Sequence, residues 1–178
     1  PAGAALWLKA DAGVDQDETG VLTWQDQSGN SNDAGRLLGD PQLAVATFPN
    51  GSHDVIQFNG NDALSLTNVE ALQFTDFACF IVASIDADSI GQQFLNNYSV
   101  GNATMQYGYC IGPDDNAAQK VKWWTGQLPA PNLVTSNAAM IAEDNYLLVV
   151  SLKSSTEKGL ALYHQTAGLV SYNAASQT

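Results

Sequence analysis

The run FACFIVASI at residues 77–85 is the longest nearly continuous apolar stretch of the chain, and Asp76 and Asp86 bound it. It is too short for a typical helix and is rich in aromatic and β-branched residues, which favour strands. A nearly continuous apolar run of this length is typical of a strand that is buried on both faces. We therefore expect a central, fully buried strand at these residues.

Apolar residues elsewhere alternate with polar ones, and turns rich in Gly, Asn and Asp separate the short runs, which is the pattern of β-strands. The strand candidates are Leu6–Leu8, Val21–Trp24, Val55–Phe58, Ala63–Thr67, Gln93–Asn96, Met105–Ile111, Lys120–Thr125, Tyr146–Leu152, Gly159–His164 and Leu169–Tyr172. Many short strands at this spacing predict an all-β protein, with two antiparallel sheets packed as a jelly-roll sandwich. We expect one domain that spans residues 1–178.

The connections are predicted from turn chemistry. Asn59–Asp62 lies between two strand candidates, and its Asn-Gly pair favours a hairpin between Val55–Phe58 and Ala63–Thr67. Residues 25–35 have no apolar periodicity and are expected to form a loop. The one helical turn that we predict lies at Asn68–Gln73, where Asn68 is a candidate N-cap.

The charge of the chain excludes several classes of partner. It has 6 Lys and Arg residues against 18 Asp and Glu residues, so its formal net charge is −12. So few cations release few phosphate counterions, which argues against nucleic acid and against an anionic membrane surface. The apolar run is also far too short to span a bilayer. Net charge of this kind promotes solubility, and it leaves open a polar surface that binds neutral sugars or divalent cations.

Two cysteines, Cys79 and Cys110, fit neither a zinc site nor a Cys-x-x-Cys redox motif. They are either one disulfide in an oxidising compartment or two small core residues. The chain begins at Pro1 without an initiator Met, which indicates a processed or trimmed protein.

The N-terminal part contains sequence segments that follow the pattern of a known family. The segments are LWLKADAGV at 6–14, VLTWQDQSGNSNDA at 21–34, VIQFNG at 55–60 and FTDF at 74–77. Their order resembles the laminin-G-like branch of the concanavalin A-like lectin/glucanase superfamily, over residues 4–85. The resemblance implies a jelly roll of two curved antiparallel sheets, with Trp7 and Trp24 at core positions. It also implies an extracellular location, since members are binding modules of secreted enzymes, adhesins or virion surface proteins.

The C-terminal end departs from this family. Such domains usually end with a strand of Gly-Asp-Ile-Ala-Glu type, whereas this chain ends at Thr178 soon after Leu169–Tyr172. The fold is therefore expected to lack its last strand. An open sheet edge of this kind is a template on which another protein subunit adds a strand.

Catalysis is not expected. The glucanases of the superfamily place paired carboxylates on one strand, and glycoside cleavage needs two carboxyl groups a few ångströms apart. Asp86 and Asp88 have the right spacing but follow the apolar run, and no Glu lies within an apolar strand pattern. The two histidines, His53 and His164, have no obvious nucleophile or metal partner in the sequence.

A cation site is one interpretation of the loop at residues 25–35. Calcium prefers oxygen ligands from carboxylates, amides and the backbone, and the loop offers Asp26, Ser28, Asn30, Asn32 and Asp33. The alternative is a structural loop, in which Asp and Asn side chains bond to nearby backbone groups. A structural calcium ion is thus a prediction, with Asp26, Asn30, Asn32 and Asp33 as its ligands.

A sugar site is predicted around two adjacent tryptophans. Neighbours in a strand point to opposite faces, so one of Trp123 and Trp124 packs inward while the other is free to stack on a sugar ring. Polar and aromatic residues that would complete this face are Tyr98, Tyr107, Tyr109, Asn96 and Asn97. The alternative is that both tryptophans cover the rim of the core.

The leading hypothesis is a non-catalytic, extracellular carbohydrate-binding module, with a glycan or cell-surface polysaccharide as its partner. The runner-up is a structural or adhesion component of a virion or cell surface, such as a decoration, fibre or tail protein. That component would use the same fold, and its open edge, for contacts with other protein subunits.

Overall fold

A computed structural model describes residues 3–66, 76–86, 92–96, 109–113, 119–125, 132–153 and 157–176. The chain divides into two compact units, Pro1–Gln73 and Phe74–Thr178. The expectation of a single domain over residues 1–178 stays a prediction. No helix among the described residues is long and apolar enough to cross a membrane.

The first unit consists of six strands. These are β1 (Val14–Gln16), β2 (Val21–Trp24), β3 (Ala34–Leu38), β4 (Gln42–Phe48), β5 (Gly51–Gln57) and β6 (Ala63–Leu66). Four of them form an antiparallel sheet in the order β1-β2-β3-β6, and β4 pairs with β5 in a two-stranded hairpin. Arg36 links this sheet to the β1–β2 turn through two hydrogen bonds to Asp17, at 2.9 and 3.1 Å. Hydrogen bonds from Arg36 and Thr19 hold the pKa of Asp17 well below its usual range.

The second unit has eight described strands in two four-stranded antiparallel sheets. They are β7 (Phe77–Ala83), β8 (Leu95–Asn96), β9 (Tyr109–Pro113), β10 (Lys120–Thr125), β11 (Asn132–Ala139), β12 (Tyr146–Lys153), β13 (Glu157–His164) and β14 (Gly168–Ser176). One sheet has the order β11-β10-β9-β8 and the other has the order β14-β13-β12-β7. All their pairings are antiparallel.

The core of the second unit is built from both of these sheets, as in a sandwich. Trp123 on β10 is fully buried, and the Phe77 ring meets it edge-on with 6.1 Å between ring centres. Alternate residues of β12 and β13 join the same cluster, as the two-residue period of a strand requires. Fully or almost fully buried members of the cluster are Ile111, Val121, Trp123, Met140, Leu148, Val150, Leu160 and Leu162.

Side chains, rather than a backbone ladder, join β11 to β14. The amides of Asn137 and Asn173 bond reciprocally, at 2.8 and 3.2 Å. The Ser171 hydroxyl accepts from the Asn137 backbone N–H at 2.9 Å, and Asn173 also donates to the Thr135 carbonyl. These bonds link the two sheets along one side of the core.

The prediction of an all-β, antiparallel protein is confirmed, and none of the described sheets is closed. Val21–Trp24 and Lys120–Thr125 are strands with the predicted bounds. Both ends of β12 and β13 and the start of β14 lie within two residues of the predicted positions, whereas β14 continues to Ser176, beyond its predicted end at Tyr172. The predicted helical turn at Asn68–Gln73 and most of Met105–Ile111 lie outside the described residues.

The predicted strand at Leu6–Leu8 is wrong. These residues lie outside the strands, and backbone bonds with the following loop hold them: the Trp7 N–H donates to the Asp26 carboxylate and the Gln27 N–H donates to the Trp7 carbonyl. Trp7 is 39% exposed, which also corrects its expected place in the core. Trp24 is half-buried and donates from Nε1 to the Lys9 carbonyl at 2.7 Å.

The predicted hairpin around Asn59–Asp62 is also wrong, because β5 pairs with β4 and β6 pairs with β3. The Asp62 carboxylate accepts from the Asn59 N–H at 2.7 Å and from the Asp40 N–H at 2.9 Å. The second bond ties this turn to the loop after β3, which directs β6 away from β5. Strands β1, β3, β4 and β11 were missed, although Pro49-Asn50 forms the two-residue turn of the β4–β5 hairpin.

Strand β7 is not buried on both faces. It lies at the end of its sheet, and Phe80 and Val82 are 68% and 65% exposed. Cys79 and Ile81 alternate with them and pack against the core. Apolar residues therefore occupy both faces of β7, but only one face is covered.

Lys158 is a buried polar exception on the inner side of β13. Its Nζ lies 5.6 Å from the centre of the Trp123 ring. Burial lowers the pKa of its ammonium group to about 8, from an ordinary value of 10.5. Between these pH values the unfolded chain holds a proton that the folded chain has released, so the free energy of unfolding rises with pH in that window.

We expect Lys158→Met to raise the free energy of unfolding at neutral pH by about 1 kcal/mol, since an apolar side chain of similar volume removes the cost of burying charge. The variant should also lose the rise in stability between about pH 8 and pH 10.5. Urea unfolding of both proteins over this pH range measures the two effects. Parallel curves for the two proteins would contradict this account of Lys158.

Candidate functional site

The strand register defines an exposed apolar surface on the outer face of the sheet β14-β13-β12-β7, opposite the core. Phe80 and Val82 on β7 belong to it, as do Tyr163 on β13 and Leu169 and Tyr172 on β14. These five side chains are 38–68% exposed. Large exposed apolar patches on soluble proteins mark sites of interaction. We call this surface the outer face.

Cross-strand register arranges the outer face in rows. The central row is Phe80–Val149–Ala161–Tyr172, and the rows on its two sides are Ala78–Ser151–Gly159–Ala174 and Val82–Leu147–Tyr163–Leu169. None of these twelve residues is charged. The first charged pair, Lys153 opposite Glu157, lies beyond the rows at one end of the sheet. The three rows of the outer face are thus largely apolar and uncharged.

Tyr172 on β14 contacts the neighbouring strand of this face. A Cβ added at Gly159 would lie 2.9 Å from the Ser151 hydroxyl oxygen and 3.9 Å from both Cε2 and the hydroxyl oxygen of Tyr172, so the tip of the Tyr172 ring lies beside the glycine. The side chain is still 62% exposed. Most of the ring is therefore open to solvent.

The β13–β14 turn, at one end of the outer face, is held by His164. Its Nε2 lies 3.1 Å from the Asp144 carboxylate, and its Nδ1 accepts from the backbone N–H groups of Thr166 and Ala167. The Thr166 hydroxyl is 3.0 Å from the same Nδ1. Since two backbone donors already face Nδ1, this nitrogen serves the turn rather than the activation of the Thr166 hydroxyl as a nucleophile.

The predicted sugar site is corrected at Trp123. This side chain has no exposed surface and lies in the core, so it cannot stack on a sugar. Trp124, its neighbour, is in β10, and backbone register sets Asn96, Cys110 and Trp124 in one row across three strands. Asn96 is exposed on β8. The structure therefore brings two of the predicted residues into one row, without Trp123.

The other predicted sugar ligands are not described. Tyr98, Tyr107 and Asn97 lie outside the described residues, and for Tyr109 and Trp124 only the backbone is described. The tryptophan pattern did not predict the outer face, because none of the twelve residues in its rows is a tryptophan. The signal that could have indicated it lies in β7. Phe80 and Val82 alternate there with apolar residues that pack against the core, so the face of β7 opposite the core is also apolar.

The loop proposed as a calcium site forms a dense hydrogen-bond network. The Asp26 carboxylate accepts from the backbone N–H groups of Trp7, Ser28 and Asn32 at 2.9–3.1 Å, and from the Ser28 hydroxyl at 2.6 Å. Four bonds use the acceptor sites that a carboxylate normally offers. Burial alone would raise the pKa of Asp26, but these hydrogen bonds lower it below its ordinary value.

The amides of the same loop hold the N-terminal segment. Asn30 donates to the Ala4 carbonyl at 2.9 Å and Asn32 donates to the Ala5 carbonyl at 2.8 Å. Asp33 accepts from the Asp26 backbone N–H at 2.8 Å. Oδ1 of Asn32 is buried without a hydrogen-bond partner. Within the described part of the chain, no three His, Cys, Asp or Glu side chains are grouped to hold a metal ion.

Cys79 is a free thiol on the inner side of β7, which excludes the disulfide alternative for this residue. Burial raises the pKa of the Cys79 thiol to about 11. A thiol in this state is not a nucleophile at neutral pH. Cys79 therefore acts as a small core residue.

Comparison of the chain with protein-family models, with curated proteins and with solved structures found no match. The resemblance to the laminin-G-like family stays a prediction.

We expect Asp26→Asn to lower the free energy of unfolding of the first unit by about 1.5–3 kcal/mol, the range for a hydrogen bond to a charged group. Because the pKa of Asp26 is lowered by folding, the wild type should lose this contribution as the pH falls below about 3.8, the ordinary value. Hydrogen exchange of the Trp7 and Asn32 amides, together with thermal unfolding, measures the change. Asp15→Asn is the matched control, because Asp15 is exposed and accepts one side-chain bond, from Gln25. Equal effects of the two substitutions would contradict the role of Asp26.

Proposed function

We propose that the chain is a non-catalytic carbohydrate-binding domain, which binds a neutral glycan on its outer face. The observation that carries the proposal is the Tyr172 ring, whose tip lies beside Gly159 on the neighbouring strand while 62% of the residue is exposed to solvent. An exposed aromatic ring of this kind packs against the C–H face of a sugar ring. Ligand sites combine such an apolar surface with a few placed polar groups.

The shape of the outer face suits an extended ligand. Tyr172 and Phe80 are at opposite ends of one row, three strands apart. With about 4.8 Å between strands, this separation is roughly 14 Å. An oligosaccharide that lies across the strands would meet Tyr172 at one end and Phe80 at the other.

Charge supports a neutral ligand. The three rows of the outer face carry no charged residue, although the chain has a net charge of −12. An anionic ligand would be repelled by the molecule as a whole and would find no cation on the face to bind.

The finer fold and location remain part of the proposal. We propose a jelly-roll sandwich of laminin-G-like type and an extracellular protein. The runner-up function, a structural or adhesion component of a virion or cell surface, has one observation in its favour. The regular, apolar edge of β7 suits contact with another protein chain.

Calcium in the loop that contains Asp26, Asn30, Asn32 and Asp33 is also a proposal, in which the ion takes the place of a hydrogen-bond donor at the Asp26 carboxylate. Its support is the buried Oδ1 of Asn32, which has no partner. If the ion binds there, added calcium chloride should raise the melting temperature, and EDTA should reverse the rise. Asn32→Ala is the control, and its melting temperature should not respond to calcium. A wild-type melting temperature that calcium leaves unchanged, or an equal rise in Asn32→Ala, would contradict calcium binding at this loop.

For the sugar proposal we expect Tyr172→Ala to weaken glycan binding at least about tenfold, or 1.4 kcal/mol. The melting temperature should change little, because Tyr172 is mostly exposed. An array of neutral oligosaccharides identifies the ligand, and calorimetry with that ligand measures the loss.

Tyr172→Phe is the matched control, since it keeps the stacking surface and removes only the hydroxyl group. It should bind more like the wild type than like Tyr172→Ala. A wild type that binds nothing on the array, or a Tyr172→Ala variant that binds as tightly as the wild type, would overturn the proposal.

A further inference from the structure

The free edge of β7 is unlike the other edges of the three four-stranded sheets, and among the edge strands only those of the β4–β5 hairpin pair as regularly, over seven residues. Four of the six outermost strands in the four-stranded sheets, β1, β6, β11 and β14, pair with their neighbour across a register irregularity. A fifth, β8, has only two residues. Bulges and short strands are the usual devices that prevent edge-to-edge pairing of sheets.

Strand β7 has none of these devices. It pairs with β12 over seven consecutive residues without a shift in register. Its sequence, FACFIVA at 77–83, contains no charged residue, no proline and no glycine. No described strand pairs with its other edge. A long, regular and apolar edge is the type that accepts an added strand.

We propose that a second copy of this chain covers that edge, with the two β7 strands antiparallel across a two-fold axis at Phe80. An isologous pairing of this kind is closed, and so it yields a dimer. The dimer goes beyond the proposed sugar binding, because it involves the edge of the sheet rather than the ligand.

The sequence of β7 is complementary to itself in this register. Phe80 lies opposite Phe80 of the second copy, and Ala78 lies opposite Val82, so the exposed apolar side chains become neighbours. On the inner side, Cys79 lies opposite Ile81 and Phe77 lies opposite Ala83. Every cross-strand pair from Phe77 to Ala83 is apolar, and such pairs stabilise antiparallel sheets.

Charge selects this register over its neighbour. A two-fold axis at Ile81 would set Asp76 opposite Asp86 of the second copy, and like charges directly opposite are destabilising. With the axis at Phe80, Asp76 lies opposite the uncharged Ser84 instead. The seam between two chains of net charge −12 is then free of formal charge along the paired strands, and repulsion between the rest of the two molecules is screened by salt.

Sedimentation velocity over a concentration series, without any glycan, tests the dimer and is independent of the sugar proposal. We expect the wild type to dimerise, and more strongly as ionic strength rises. Phe80→Lys should be monomeric, because two lysines would meet at the axis. Leu169→Lys is the matched control, an exposed residue on the same sheet face but on the opposite edge strand, and it should dimerise like the wild type.

Charge reversal makes the test specific for the two-fold pairing. Phe80→Glu should also be monomeric, and an equimolar mixture of Phe80→Lys and Phe80→Glu should form a heterodimer. Circular dichroism and thermal unfolding establish that each variant is folded, as expected for a side chain that is 68% exposed. A wild type that is monomeric at every concentration, an oligomer that Phe80→Lys leaves intact, or a mixture that stays monomeric would each overturn the proposal.

Discussion

The two-residue period of side chains along β12 and β13 is the constraint on which the second unit depends. Leu148, Val150, Leu160 and Leu162 all point to the side where Trp123 is buried. A slip of one residue in either strand would exchange its inner and outer side chains. The register is thus fixed by the core, and the same register sets the residues of the outer face into rows. Because the core fixes this register, the apolar residues of the other face point away from the core. No described residues cover that face.

Local patterns were sufficient to predict strands whose alternation is strong, such as Val21–Trp24 and Lys120–Thr125. They failed where a bond between distant residues decides the pairing. The turn before β6 has the chemistry of a hairpin, but the bond from the Asp40 N–H to Asp62 joins residues 22 positions apart. Leu6–Leu8 has the composition of a strand, yet the Asp26 loop uses its backbone groups instead. Neither bond is visible in a short window of sequence.

The candidate site shows a different limit. Trp123, and not the adjacent Trp124, is predicted to be buried only if one knows which face of β10 meets the opposite sheet. Alternation along the strand does not distinguish the two faces. The same holds for β7, where apolar residues occupy both faces and only the sheet order reveals an edge. Composition indicated an acidic, polar surface, but in the Asp26 loop the carboxylate and amide groups bond to the backbone. Side chains that were expected to recognise a ligand therefore hold the chain itself.

An apolar outer face in a chain of net charge −12 combines two opposed effects. Exposed apolar surface favours association at short range, where it removes contact with water. Net charge opposes association at longer range, over about 10 Å at moderate salt. A partner that gains from the apolar face must therefore be neutral, or must approach so that charged groups stay apart. A neutral glycan on Tyr172 meets the first condition, and a second β7 strand aligned on Phe80 meets the second, because its paired residues carry no charge. Acidic chains that lack such an alignment are kept apart by the repulsion between their net charges.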